Sequence, residues 1–198
     1  MSSSSDAVAL LELQGVAAGY ACLDIMVKHS PIDILEANLI EPGKFLILYT
    51  GGVAEVEEAH YRVLEERAEQ IISELLLPFA HEAILVGLKN TDHIQKMEKY
   101  DCIAVVEART IAGTLVSVDR ALKDALVSLV GIRVAGALGG KGFFVLEGAQ
   151  HDIESALETV SSVVEEKGGL FHKEVIARPH PEAVEWMLRR APFRVGST

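Results

Sequence analysis

Cysteine is scarce in this chain. Only two are present, Cys22 and Cys102, far apart and with no close-spaced partner. That excludes a disulfide framework and a metal site built from paired thiolates. A reduced, cytosolic setting is the expectation, and Cys22, inside a helical pattern, reads as a small core residue. Basic charge is also short, with 18 Lys and Arg against 29 Asp and Glu. The net charge of −11 is spread along the sequence and not gathered in a tail. Non-specific nucleic-acid binding needs a basic surface to neutralise phosphates, so it is disfavoured, as is an anionic membrane surface. No apolar run approaches the ~20 residues of a membrane span. Met1 to Asp6 has neither the basic region nor the hydrophobic core of a signal peptide and reads as a disordered lead-in.

Catalytic patterns are missing too. The seven histidines are scattered. Gly139-Gly140-Lys141 has a glycine pair before a lysine, but Walker spacing is absent and no Ser or Thr follows the lysine. No His-rich or Cys-rich spacing suits zinc or a cluster. His29 at a helix end and His60 on a helix read as solvated or packing residues. Glu12 and Glu107 read as a repeated structural carboxylate, against the alternative of an acid/base pair. Trp186, the sole tryptophan, reads as a packing residue of the last helix.

What is present is one unit written twice. The 198 residues, 49% apolar and 24% charged, fit one large globular domain or two of about 100 residues. Val8 to Leu13 and Ile103 to Ala108 are strand-length apolar runs with Glu12 and Glu107 in the same place. A helical pattern follows each, through Val16, Tyr20, Leu23 and Val27, and through Ile111, Leu115, Val118 and Leu122. Asp24 with Lys28, and Asp119 with Lys123, stand four residues apart in the favourable order. Strands are then expected over Ile32 to Ile40 and Val127 to Ala135, and over Phe45 to Tyr49 and Phe143 to Leu146. Second helices follow from Val53 to Gln70, with Val56, Val63 and Leu64 inward, and from Asp152 to Lys167. Strands at Glu74 to Leu77 and Leu170 to Ala177 lead into Pro-and-His segments carrying His81 and His180. Short helices close each repeat.

The predicted architecture is α+β, with two tandem ferredoxin-like sandwich domains. A disordered start covers 1–7, the first domain 8–88, a polar linker 89–101, the second domain 102–190 and a tail 191–198. Each repeat also carries a glycine-lysine loop between two strands, Glu41-Pro42-Gly43-Lys44 and Leu138-Gly139-Gly140-Lys141. The second loop is about two residues longer. Glycine suits a tight turn or close backbone approach there.

The segments VALLELQGVAAGYACLDIMVKHSPIDIL, IEPGKFLIL and GGVAEVEEA resemble the shell-protein (BMC) domain of bacterial microcompartments. So do IAVVEARTIAGTLVSVDRALKDALVSLV, GGKGFFVLEG and VIARPHPEAVEWML in the second copy. The resemblance runs from about Val8 to Arg190. Two copies in this order are similar to non-permuted tandem-domain shell proteins, which form trimers that mimic hexamers.

The resemblance implies a structural shell protein with a central pore for small metabolites or ions, located in a microcompartment shell in the cytoplasm. It implies a homotrimer, partnered by other hexameric shell proteins and by encapsulated enzymes, with no nucleic acid or membrane involved. Pore-lining residues would be Glu41, Pro42, Gly43, Leu138, Gly139 and Gly140. Trimer–trimer edges would carry Lys28, Lys123 and Arg178.

The propanediol-utilisation subgroup, which the chain resembles most, holds an iron–sulfur cluster at the trimer opening through a loop cysteine. Here that position is Glu41. Carboxylate is a poor cluster ligand beside thiolate. No cofactor and no firm metal site are therefore expected, with Glu41 left as a weak site for a hard cation. The alternatives are a duplicated ferredoxin-like sensor of a small ligand and, least supported, an enzyme.

Overall fold

A computed structural model describes residues 6–89, 101–135, 138–166 and 170–187. Residues 1–5, most of the linker, the tail and the last residues of the second domain lie outside these ranges. Asp6 and Ala7, expected in a disordered lead-in, belong instead to the first strand, because they pair with the neighbouring strand and Ala7 is buried. The first repeat runs β1 (Asp6–Leu13), α1 (Val16–His29), β2 (Asp33–Ile40), β3 (Lys44–Gly52), α2 (Val53–Arg67), β4 (Ile71–Leu77) and α3 (Glu82–Lys89). The second runs β5 (Cys102–Ala108), α4 (Ile111–Asp124), β6 (Val127–Val134), β7 (Gly142–Gly148), α5 (Gln150–Glu166), β8 (Leu170–Ala177) and α6 (Pro181–Met187). Each repeat forms a four-stranded antiparallel sheet, ordered β2-β3-β1-β4 and β6-β7-β5-β8. This is the ferredoxin-like order, and the expected strands and helices are all present.

The chain divides into two compact units after Glu82, so α3 groups with the second unit although it follows β4 in the repeat.

Periodicity places the core. On β1 the alternate residues Ala7, Ala9, Leu11 and Leu13 meet Phe45, Ile47 and Tyr49 of β3, and Cys22, Met26, Val56, Ala59 and Val63 of the two helices cover them. The intervening Val8, Leu10, Leu46 and Leu48 are buried as well. Burial of both faces is why VALLEL is apolar throughout except at Glu12. In the second unit Ile103, Val130 and Val145 meet Val184 of α6. Thr110 caps α4, its hydroxyl accepting from Gly113 N at 2.9 Å.

The ladders align the repeats residue by residue. Glu12 corresponds to Glu107, Leu46 to Phe143, Ala37 to Ile132 and Leu77 to Ile176. One substitution pair shows how each core keeps its volume. Gly19 on α1 lies against the Phe45 ring, and a Cβ there would come within 2.2 Å of it. At the equivalent positions α4 has Thr114 and β7 has Gly142, whose Cβ would come within 2.4 Å of the threonine hydroxyl. Bulk has moved from strand to helix.

One expected face is corrected. On α4, Ile111, Leu115, Val118 and Leu122 are buried as predicted. On α1, Tyr20 is 63% and Val27 51% exposed, and the helix instead buries Gly19 and Met26, together with Cys22 as expected.

Candidate functional site

The two glycine-lysine loops close β2–β3 and β6–β7. Glu41, Pro42 and Gly43 are all exposed and span the gap in three residues. The Glu41–Pro42 bond is cis, and Gly43 has φ 79°. A side chain is disfavoured at that φ, which explains the glycine. In the second loop Gly139 and Gly140 take φ 63° and 78°. Lys141 N donates to Leu138 O at 3.3 Å, and Ala135 N to Lys141 O at 3.1 Å. Leu138 is partly exposed, Gly139 exposed and Gly140 buried.

Behind the first loop, Lys44 Nζ lies 3.0 Å from Glu12 Oε2. Glu12 is 2% exposed and its Oε1 has no hydrogen-bond partner. The carboxylate is held by one lysine under the sheet, so its role is to anchor Lys44 beside the loop. It is not poised with a nucleophile or a second acid.

The two i, i+4 pairs form as expected. Lys28 and Lys123 each donate to their aspartate at 2.6 Å. Their settings differ. Asp24 and Lys28 are both well exposed, whereas Asp119 is buried. Arg178 is exposed and follows edge strand β8 with φ 47°. Its counterpart after β4 is Phe79, 60% exposed with φ 54°. Both repeats thus hold a bulky residue in the left-handed region, where non-glycine residues are uncommon. His180 and His81 follow at equivalent positions, as expected.

A network that the sequence did not reveal lies inside the first unit. Tyr49 OH is 2.5 Å from His60 Nδ1, and His60 Nε2 bonds Glu74 Oε2. Tyr49 and His60 are fully buried, so no substrate reaches them. Burial, helped by the nearby Glu74 charge, pushes the Tyr49 phenol well above its ordinary pKa. His60 is therefore a packing residue with two bonds. Trp186, expected to pack, is instead 65% exposed.

Cys22 and Cys102 are buried and burial raises both thiols, away from the reactive thiolate. Neither lies in a loop. Among the described residues no group of three or more His, Cys, Asp or Glu is placed to hold a metal ion. No described helix is long and apolar enough to cross a membrane.

Burial differs between repeats at matched positions of the first helices. Ala17, Tyr20, Asp24 and Val27 are exposed on α1, while Ala112, Leu115, Asp119 and Leu122 are buried on α4. The closing strands differ the other way. Leu75 on β4 is buried, and its counterpart Glu174 on β8 is exposed, with Val175 beside it.

Comparison with known proteins accounts for the duplication. A family model for the BMC domain matches residues 7–79 and again 102–179. Bacterial microcompartment shell protein PduT of Citrobacter freundii is 31% identical over 176 residues, 89% of this chain and 94% of that protein. A crystal structure of a microcompartment protein from Desulfitobacterium hafniense DCB superposes with TM-score 0.81 at 29% identity, covering 91% of this chain and 98% of the other. The fused permuted hexameric shell protein MSM0275 from the RMM microcompartment shares the fold at TM-score 0.58 and 18% identity, over 83% and 86% of the two chains.

Proposed function

The chain belongs to the BMC-domain family, the shell proteins of bacterial microcompartments, and from that membership we propose that three copies close into a pseudohexameric ring that tiles a shell facet. It is a tandem-domain structural protein of the shell, working in assembly with other shell proteins. The ring, its pore and its edges are our reading.

One observation carries the ring: the exposed stripe on α1, set against the buried stripe at matched positions on α4. A stripe holding Tyr20 and Val27 is the kind of surface that a partner covers. A ring that closes by rotation needs two unlike faces per chain. The α1 stripe in the first unit and the exposed β8 in the second supply such a pair. Two domains per chain make three chains the number that completes six.

In that ring the loops Glu41–Gly43 and Leu138–Gly140 alternate around the axis. Three Glu41 carboxylates repel one another, attract cations and oppose anionic metabolites. They do not suit an iron–sulfur cluster, since both thiols of the chain are buried elsewhere. We assign the protein no cofactor and no catalytic residue. Lys28, Lys123 and Arg178 lie on the outer edges, where neighbouring tiles and other hexameric shell proteins meet them. Encapsulated enzymes are partners of the facet and not substrates.

Native mass measurement tests the ring. A trimer is expected at micromolar concentration, and flat sheets or tubes in overexpressing cells. A stable monomer or dimer under those conditions overturns it.

A further inference from the structure

The exposed Trp186 has a counterpart in the first repeat. α3 and α6 begin at matched residues, Glu82 and Pro181, and each buries a side chain at the same place, Leu85 and Val184. The same alignment sets Gly87 of α3 against Trp186 of α6. Gly87 lies on edge strand β6, where an added Cβ would be 2.7 Å from Ile132 Cγ2 and 3.6 Å from Leu129 Cδ2. Absence of a side chain lets α3 lie against a large β-branched residue.

Edge strand β2 is the first-repeat equivalent of β6. Its register puts Ala37 where β6 has Ile132, and Ile34 where β6 has Leu129. Leu129 is buried, whereas Ile34 and Ala37 remain partly exposed. One helix–strand pair is therefore complete within the chain, with nothing on the helix and isoleucine on the strand. In the other, tryptophan stands exposed on the helix and a partly exposed alanine sits on the strand. Each pair combines one large and one small residue, in opposite order.

Resting on the ring reading above, we propose that Trp186 of one protomer lies on β2 of a second copy of this chain, its indole over Ala37 and against Ile34. The second copy is the occupant because the chain already displays the equivalent contact, Gly87 on Ile132, with the sizes inverted. Ile34 and Ala37 pack at the margin of the core cluster that the inward face of α1 covers, and both stay partly exposed there. A flat aromatic with two torsions is suited to anchoring such a contact at low entropic cost, and tryptophan dominates interfaces out of proportion to its number.

The test uses the full chain and its only tryptophan. Wild type, Ala37→Ile, Trp186→Gly and the double variant are compared by native mass and, where tryptophan remains, by its emission and acrylamide quenching. In the wild-type trimer the emission should be blue-shifted and shielded from quencher, relative to the chain in denaturant. Ala37→Ile should place a branched side chain under the indole and weaken the trimer at least tenfold, with quenching restored. Trp186→Gly should weaken it too. The double variant reproduces the Gly87–Ile132 pair and should regain most of the lost affinity. A wild-type trimer whose tryptophan is freely quenched, and which tolerates Ala37→Ile, overturns this contact and leaves the ring standing. A double variant as weak as the sum of the singles also overturns it. A monomeric wild type overturns ring and contact together.

Discussion

Replacing Tyr49 with phenylalanine removes one oxygen from the interior of the first unit and changes no packing shape. The Glu74 carboxylate can only accept, so His60 Nε2 carries the proton in that bond. The neutral ring then has a bare Nδ1, which accepts the Tyr49 hydroxyl proton at 2.5 Å. Tyr49→Phe leaves that nitrogen unpaired at a site 1% exposed. An orphaned buried acceptor costs about 1–3 kcal/mol, and that loss should appear as a lower urea midpoint at unchanged slope. The second repeat suggests the control, because Leu146 and Leu157 occupy the positions of Tyr49 and His60. Tyr49→Phe with His60→Leu removes both buried groups and returns the half-exposed Glu74 to water. Its loss should fall short of the summed single losses by about 1 kcal/mol, within the range for residues in contact.

Alkaline pH gives a second reading of the same bond. The folded phenol is held above its ordinary value of about 10, chiefly by burial and then by Glu74. The native state keeps this proton where the unfolded chain has lost it. Its contribution is therefore intact below about pH 10 and declines as pH rises further. Tyr49→Phe should flatten that decline. Additive single losses, or an alkaline limb unchanged in Tyr49→Phe, would refute the network.

Gly19→Ala should cost about 1–3 kcal/mol by thermal unfolding, because its Cβ has no room beside Phe45. Adding Phe45→Gly with threonine at position 19, the arrangement of Thr114 and Gly142, should recover part of the melting temperature. Lys28→Ala should change stability by less than about 0.5 kcal/mol, since both partners of its ion pair are exposed. Lys123→Ala should cost about 1 kcal/mol more, because Asp119 stays buried. Both, with Arg178→Ala, should break sheets seen by electron microscopy while sparing the trimer; wild-type sheets from all three would remove the edge assignment. Wild type reconstituted anaerobically with iron and sulfide should stay colourless and Glu41→Cys should turn brown, whereas a cluster in the wild type would refute the loss of that role.

Much of the fold was legible because each signal occurs twice. The alternation through Ile32 and Ile34 changes phase before Ala37 and Leu39, and the ladder shifts register between Ile34 and Glu36. The i, i+4 pairs and the glycine turns were equally plain, since they depend on neighbours in sequence. The face of α1 was not. Apolar residues cover two stripes of that helix, and spacing alone favoured Tyr20 and Val27 over Gly19 and Met26. Glycine carries no hydropathy signal, yet its fit against Phe45 decides which stripe turns inward. The Tyr49–His60–Glu74 network was invisible for a related reason. Its members come from β3, α2 and β4, and only the folded chain brings them together.

A duplicated chain also shows which differences the fold must balance. Inside a unit the repeats differ in compensated sets: Gly19 with Phe45 against Thr114 with Gly142, and Tyr49 with His60 against Leu146 with Leu157. Close packing imposes that balance, because volume or polarity added on one side must be removed on the other. At positions that at least one repeat leaves exposed, the differences stand unbalanced within the chain: Tyr20 against buried Leu115, Phe79 against Arg178, Trp186 against packed Gly87. The left-handed backbone at Phe79 and Arg178 is kept in both repeats although neither residue is glycine. Such conformations cost of order 1–3 kcal/mol and persist where the surrounding structure fixes them. The direction of each corner is thus retained while its chemistry changes from aromatic ring to guanidinium. A chain that holds geometry fixed and varies chemistry at such positions is suited to meet two different neighbours with one fold, and the closed ring of unlike domains proposed above would provide them.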